Sequence, residues 1–156
     1  LFEEIGFKND EIEASSQPAQ LNPYDHYLRL QALAAFRKTP AFNKLYEVYK
    51  RAKGQLKEKI SYAFKEELLS EPAEKMLYSH FTATKKQLLH TFDQKDYPHS
   101  IELLASFQEP LARLFDEVKI LCEDLPTRSN RLILLKEVFA LFDPLADLSK
   151  IQEHTI

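Results

Sequence analysis

Only two glycines, Gly6 and Gly54, occur in 156 residues. Glycine is the residue that takes positive φ without steric cost, and two-residue hairpin turns depend on such positions. A sheet fold would need turns of that kind again and again, and this chain has almost nothing to build them from. Leu/Ala/Lys/Glu-rich runs at helical spacing point the other way, to an all-α helical bundle with short connections. The length fits one domain, and a composition 44% hydrophobic and 29% charged is that of an ordinary globular protein with a real core. No run of about 18 apolar residues occurs, so no membrane span is expected. Cys122 is alone, which rules out a disulfide within the chain and suits a reducing, cytoplasmic setting.

The chain opens "LFEEIGF" without an initiator methionine, and Met76 is the only Met. Leu1–Phe7 reads as the tail of a helix begun upstream, in a domain excised from something longer. The expected division is 1–20, tail and short helix, then 21–156, the bundle. Proline marks the helix starts, since its fixed φ and missing N–H suit the first turn. Asn22-Pro23 opens a helix to Lys38, and Thr39-Pro40 opens another to about Lys59. A shorter one covers Ser61–Leu69, and Ser70 caps a long helix to about Asp93 in which the apolar positions Met76, Leu77, Phe81, Leu88 and Phe92 keep near-helical spacing. "DYPHSIELLASF" begins the next, and Glu109-Pro110 restarts it as "LARLFDEVKILCE". The last starts near Pro126 and is kinked or ended by Pro144.

Charge is unevenly spread. From Arg37 to Lys65 there are nine Lys/Arg against Glu47 and Glu58, a window of +7 in a chain of net charge -3; the remainder is therefore -10. On a helix, Leu45, Val48, Ala52 and Leu56 share the core arc, with Tyr49 at its edge. Tyr46, Lys50, Lys53 and Lys57 form a stripe beside it, and Lys44 and Arg51 lie on the other flank. Like charges at these spacings weaken a helix by a few tenths of a kcal/mol (order of magnitude) per pair. A polyanion would make the arrangement useful: the lysines would neutralise successive phosphates while Tyr46 and Tyr49 offered ring faces to unstacked bases. A solvated lysine face, with acidic partners on neighbouring helices, accounts for the same pattern.

Arg128, Asn130 and Arg131 stand at the start of the last helix, where free N–H groups attract anions. Arg131 shares an arc with Leu135, Val138 and Phe142, which favours a half-buried arginine paired with Asp116 or Glu117. Asn130 reads as a hydrogen-bonding residue of the helix terminus. None of His26, His80, His90, His99 and His154 has a metal-ligand spacing, so no metal site is expected. His26 and His99 read as surface or capping residues. No nucleophile motif or phosphate-cradling loop is present, so no catalytic residue is expected. Phe36, Phe81, Phe107, Phe115, Phe139 and Phe142 read as core.

Three segments together resemble a known family. "LRLQALAAFRKTPAFNKLYEVYKRAKGQL" is similar to an alanine-rich helix, an "AFR" element and a helix with Lys-Arg before Asn-Ile-Leu. "EPAEKMLY" follows, and then "LFDEVKILCEDLPTRSNRLILLKEVFALFDPLADLS", where the family shows Phe-Asp-x-Val, Asn-Arg-Leu-x-Leu-Leu and Ala-Asp-Ile-Ser. In this order they resemble the C-terminal, DALR-like anticodon-binding domain of the bacterial glycyl-tRNA synthetase β subunit, or of an α–β fusion, over nearly the whole chain. Departures are Tyr49 for an asparagine, Gly54-Gln55-Leu56 for Asn-Ile-Leu, Lys119 and Ile120 in a Met-rich stretch, and Pro144 where the family continues a helix.

The resemblance implies a tRNA-binding domain without a catalytic site of its own. It would grip the anticodon arm of glycine tRNA, while the synthetase α subunit or a catalytic module joins glycine to tRNA with ATP and magnesium. Neither cofactor is expected in this domain, and neither DNA nor a membrane is an expected partner. Lys50 and Arg51 match the motif and come first among the expected tRNA-binding residues, followed by Lys53, Tyr46, Tyr49, Lys57, Arg128 and Asn130. A helical protein–protein interaction domain, with the basic helix on an acidic partner, is the alternative.

Overall fold

The computed structural model describes residues 6–15 and 23–151. The expected Asn22 cap, His154 and most of the expected helix tail at Leu1–Phe7 lie outside those residues. Within them all regular structure is helical: α1 (Asn9–Ser15), α2 (Pro23–Arg37), α3 (Pro40–Ala52), α4 (Pro72–Asp93), α5 (Tyr97–Ala105), α6 (Gln108–Glu117) and α7 (Leu125–Ala140). Short 3-10 turns lie at Gln55–Lys57, Glu66–Leu68 and Leu148–Lys150. No helix among the described residues is long and apolar enough to cross a membrane.

The helix starts follow the punctuation of the sequence. α3, α4, α5 and α7 each carry proline at the first or second position. Asp96 and Asp124 accept hydrogen bonds from the backbone N–H of His99 and Thr127, satisfying first-turn donors. Thr39 serves both sides of the α2–α3 corner. Its Oγ1 donates to the Phe36 carbonyl at 2.6 Å and accepts from the Phe42 N–H at 3.2 Å. Thr39→Ala is therefore expected to cost about 1 kcal/mol in denaturant unfolding.

α4 forms the spine, packed against α5, α6 and α7, while α3 lies against α6 and α2. The core closes on residues with essentially no exposure, among them Leu30, Leu77, Leu104, Leu114 and Leu132. Phe36, Phe81, Phe107, Phe139 and Phe142 are buried as expected, and Phe115 is half-buried against the core. Met76, one of the apolar positions at helical spacing along α4, is 43% exposed beside Arg113.

Several boundaries differ from those the sequence suggests. α3 ends at Ala52 rather than near Lys59, and residues 53–71 form a connection with two 3-10 turns where a helix over 61–69 was expected. Gly54 and the run of lysines both lower the gain from further helical turns. Glu71, not Ser70, precedes α4, because the residue before a proline is pushed to extended backbone; Glu71 has φ -87° and ψ 142°. α6 begins at Gln108, so Pro110 falls inside its first turn, where no N–H is needed, and it ends at Glu117. Val118 and Ile120 are buried from non-helical backbone. α7 stops at Ala140, four residues before Pro144.

Three arginines are buried with acidic partners. Arg37 on α2 meets Asp10 at 2.7 Å and Glu11 at 3.7 Å on α1, fixing the short first helix to the bundle. Arg29 lies 3.1 Å from Asp25 one turn earlier, and Asp25 also accepts a hydrogen bond from the Tyr97 hydroxyl of α5. Arg131 of α7 is buried as expected, but its partners are Glu74 of α4 and the Lys119 carbonyl at 2.7 Å, not Asp116 or Glu117. Glu74 is wholly buried, whereas Asp116 and Glu117 are exposed on α6.

Candidate nucleic-acid interface

The basic segment has two parts. The first is α3, whose Phe42, Leu45, Val48 and Ala52 are buried. This arc holds the helix down and turns Lys44, Glu47 and Arg51 outward. The second is the connection 53–71, which carries Lys53, Lys57, Lys59 and Lys65, all exposed.

α7 straps this connection in place. Arg128 Nη2 lies 3.2 Å from Glu58 Oε2, and Lys136 Nζ donates to the Glu58 carbonyl at 3.4 Å. The Lys65 N–H donates to Asn130 Oδ1 at 2.7 Å, and Phe64 packs on Tyr78 with ring centroids 5.3 Å apart. Asn130 is fully buried, so its carbonyl oxygen positions the strap and is closed to a ligand at the surface. Burial thus stands against the expected direct tRNA contact by Asn130: its Oδ1 is engaged by the chain's own backbone, and its Nδ2 is buried without a hydrogen-bond partner among the described residues. Arg128 is half-buried and also engaged with the strap.

The two tyrosines are packed by the chain itself. Rings run from Phe36 to Phe42, Tyr46, Tyr49, Phe139 and Phe142, with successive centroids 5.2 to 6.2 Å apart. The Tyr46 hydroxyl donates to the Ile151 carbonyl at 2.7 Å, and Lys50 Nζ stands 5.7 Å from the Tyr46 ring centroid. Tyr46 thus serves as a link between α3 and the segment after α7, and its ring is not an open platform. Tyr49 keeps an exposed edge. Burial pushes its phenol up from the ordinary range, with Asp147, Tyr46 and Asp143 acting in the same direction.

Among the cations, Arg51 lies over the Phe115 ring at 5.3 Å, and its Nη1 is 3.8 Å from Asp116 Oδ1. Both side chains are more than half exposed, at 54% and 69%, and an exposed pair of that length contributes about 0–1 kcal/mol. Lys53 and Lys57 have no ion-pair partner among the described residues. The solvated-face account therefore holds for Arg51 in part and leaves those two lysines unexplained. Beside the turn that carries Lys57 lies a group that the sequence did not single out: Lys136, Asp143 and Asp147, which line a cleft with Tyr49 and Leu56. No local spacing joins residues 49 and 143, so only the fold could show it. Among the described residues no three His, Cys, Asp or Glu are grouped to hold a metal ion.

No family model matches the chain. Curated relatives do. The glycine–tRNA ligase beta subunit of Desulforudis audaxviator (strain MP104C) is 31% identical over 150 residues, 96% of this chain and 22% of that protein. The chain is homologous to a segment of the glycine–tRNA ligase beta subunit. The beta subunit of Sulfurihydrogenibium sp. (strain YO3AOP1) is 35% identical over 94% of the chain and 22% of its own length. That of Desulforamulus reducens is 35% identical over 81% and 18%. The chain spans about a fifth of these beta subunits. Its α3, strap and α7 all fall within a match that takes in almost the whole chain.

Proposed function

We propose that this chain is the DALR-like anticodon-binding domain of a glycyl-tRNA synthetase, and that α3 and its strap grip the anticodon arm of glycine tRNA. The observation that carries the reading is the isolation of positive charge. Arg37 is buried against α1, but from Lys44 to Lys65 one helix and one connection carry seven Lys/Arg against Glu47 and Glu58, +5 in a chain whose remainder is -8. Homology to beta-subunit sequence supports RNA as the polyanion. Arg51, Lys53 and Lys57 would neutralise phosphates and set register, with Lys50 beside them; Arg128 and Asn130 act one step back, by holding the strap that presents the lysines. Anticodon bases are single-stranded, so their edges are open to side chains. The ATP- and magnesium-dependent joining of glycine belongs in this reading to the α subunit or a catalytic module, in the cytoplasm.

The test is a titration of the chain with glycine tRNA, and with the same tRNA altered only in its anticodon, at two salt concentrations. Tighter, salt-sensitive binding of the unaltered tRNA is the expected result. Arg51→Ala and Lys50→Ala should each weaken binding several-fold and reduce the salt slope by about 1 for each phosphate left without its cation. The melting temperature of Arg51→Ala should barely move, since its ion pair is weak. A folded chain indifferent to both tRNAs at low salt would overturn the proposal.

A further inference from the structure

We infer that the cleft beside α3 takes the edge of one unstacked nucleobase and favours a base that carries an exocyclic amino group over uracil. This rests on the RNA-binding reading above and names what that surface selects.

The cleft, about 240 Å³ in volume, is closed by Tyr49 of α3, Leu56 of the turn after it, and Phe139 of α7. The Tyr49 and Phe139 rings meet at 66° with centroids 5.3 Å apart, giving an apolar angle against which a flat ring can lie. Four polar groups stand at the lining: the Tyr49 phenol, the Lys136 ammonium and the Asp143 and Asp147 carboxylates. Neither the Tyr49 hydroxyl nor the Asp143 carboxylate has a hydrogen-bond partner among the described residues. Among the described residues Lys136 is held only by the long hydrogen bond of 3.4 Å to the Glu58 carbonyl. Asp143 is an exposed residue whose carboxyl is partly desolvated by the cleft wall; that desolvation, and then the neighbouring Asp147, hold it above the usual range.

That set matches an amino-bearing edge. A carboxylate accepts from an exocyclic amino group, and an ammonium donates to a ring nitrogen or carbonyl oxygen beside it. Uracil carries no amino group, and in the cytosine-like orientation its carbonyl oxygen would lie against the carboxylate. The surroundings fit the division of labour of RNA recognition. Leu56 lies in the same turn as Lys57, so a base in the cleft leaves its phosphates near Lys53 and Lys57.

The test uses pentanucleotides UUXUU, with X as C, A, G or U, so that every phosphate is constant. The unaltered chain should bind at least one amino-bearing strand about tenfold more tightly than X = U, and the preferred X identifies the base. Asp143→Asn removes a charge at an exposed position without loss of volume. It should raise affinity for X = U slightly and shrink the preference to within about twofold. Equal binding of all four strands, a preference unchanged in Asp143→Asn, or failure to bind any pentamer at low salt would each overturn the inference. In each of these cases binding of glycine tRNA by the same preparation would leave the domain's proposed role standing, whereas loss of tRNA binding as well would remove both.

Discussion

Glu74→Ala lowers the stability of this chain by about 3–5 kcal/mol, the cost of leaving a buried arginine without its charge partner. Glu74 has no exposure at all and Arg131 only 8%, so water cannot take the place of either partner without opening α4 from α7. Arg131→Ala is expected to cost a similar amount from the other side and to free the Lys119 carbonyl as well. Against a total of about 5–15 kcal/mol for a domain, either change is a large fraction. The double variant Glu74→Leu/Arg131→Met distinguishes pairing from packing. Glu74 Oε2 is buried with no hydrogen-bond partner, so the native pair is already incompletely satisfied. The double variant should therefore restore most of the stability in urea unfolding. If it is as unstable as the single variants, the site depends on shape and not on charge.

Asp25→Ala is the second large effect, again about 3–5 kcal/mol, because one carboxylate serves both Arg29 and Tyr97 in a site where both charged residues are 2% exposed or less. The same site makes stability depend on pH at the alkaline end. Burial first, then the hydrogen bond to Asp25, hold the Tyr97 phenol well above its ordinary range. A raised value in the folded chain means that the folded state keeps the proton longer. The contribution is complete below the ordinary tyrosine value of about 10 and is lost as pH rises toward the folded value. Unfolding free energy should fall above about pH 10 by up to about 1.4 kcal/mol per pH unit from this group. Tyr97→Phe should be less stable at pH 8 yet show a shallower alkaline decline. Some decline remains, since the Tyr49 phenol is shifted in the same direction.

The parts of the fold that were legible in the sequence are those settled by neighbours in the chain. Thr39-Pro40 fixes a corner because the cap and the proline act within one turn, and Asp96 works on its own first turn in the same way. The stretch after Ala52 misled for a related reason: Leu56 keeps the helical spacing of Leu45, Val48 and Ala52, and Gly54 even has helical dihedrals. Gly54 and the lysines leave further turns weak there, and α7 offers an alternative, since its Arg128, Asn130 and Lys136 hold the strap. Arg131 carried a correct signal of burial in its arc, but its partner is 57 residues away, on a helix whose pairing no periodicity reveals. The cleft is harder still, since Tyr49 and Asp143 meet only after the whole chain has packed.

The bond from Tyr46 to the Ile151 carbonyl spans 105 residues. On the ribosome, synthesis proceeds from the N-terminus at about 5–20 residues per second. The Tyr46–Tyr49 edge of α3 consequently emerges several seconds before the residues that meet it, since Phe139 and Ile151 come so much later in the chain. During that interval Phe42, Tyr46 and Tyr49 form an open aromatic strip on the nascent chain. Chaperone demand in the cell should thus track the stretch from Phe139 to Ile151, which also supplies Phe142, Leu145, Ala146 and Leu148 to the core.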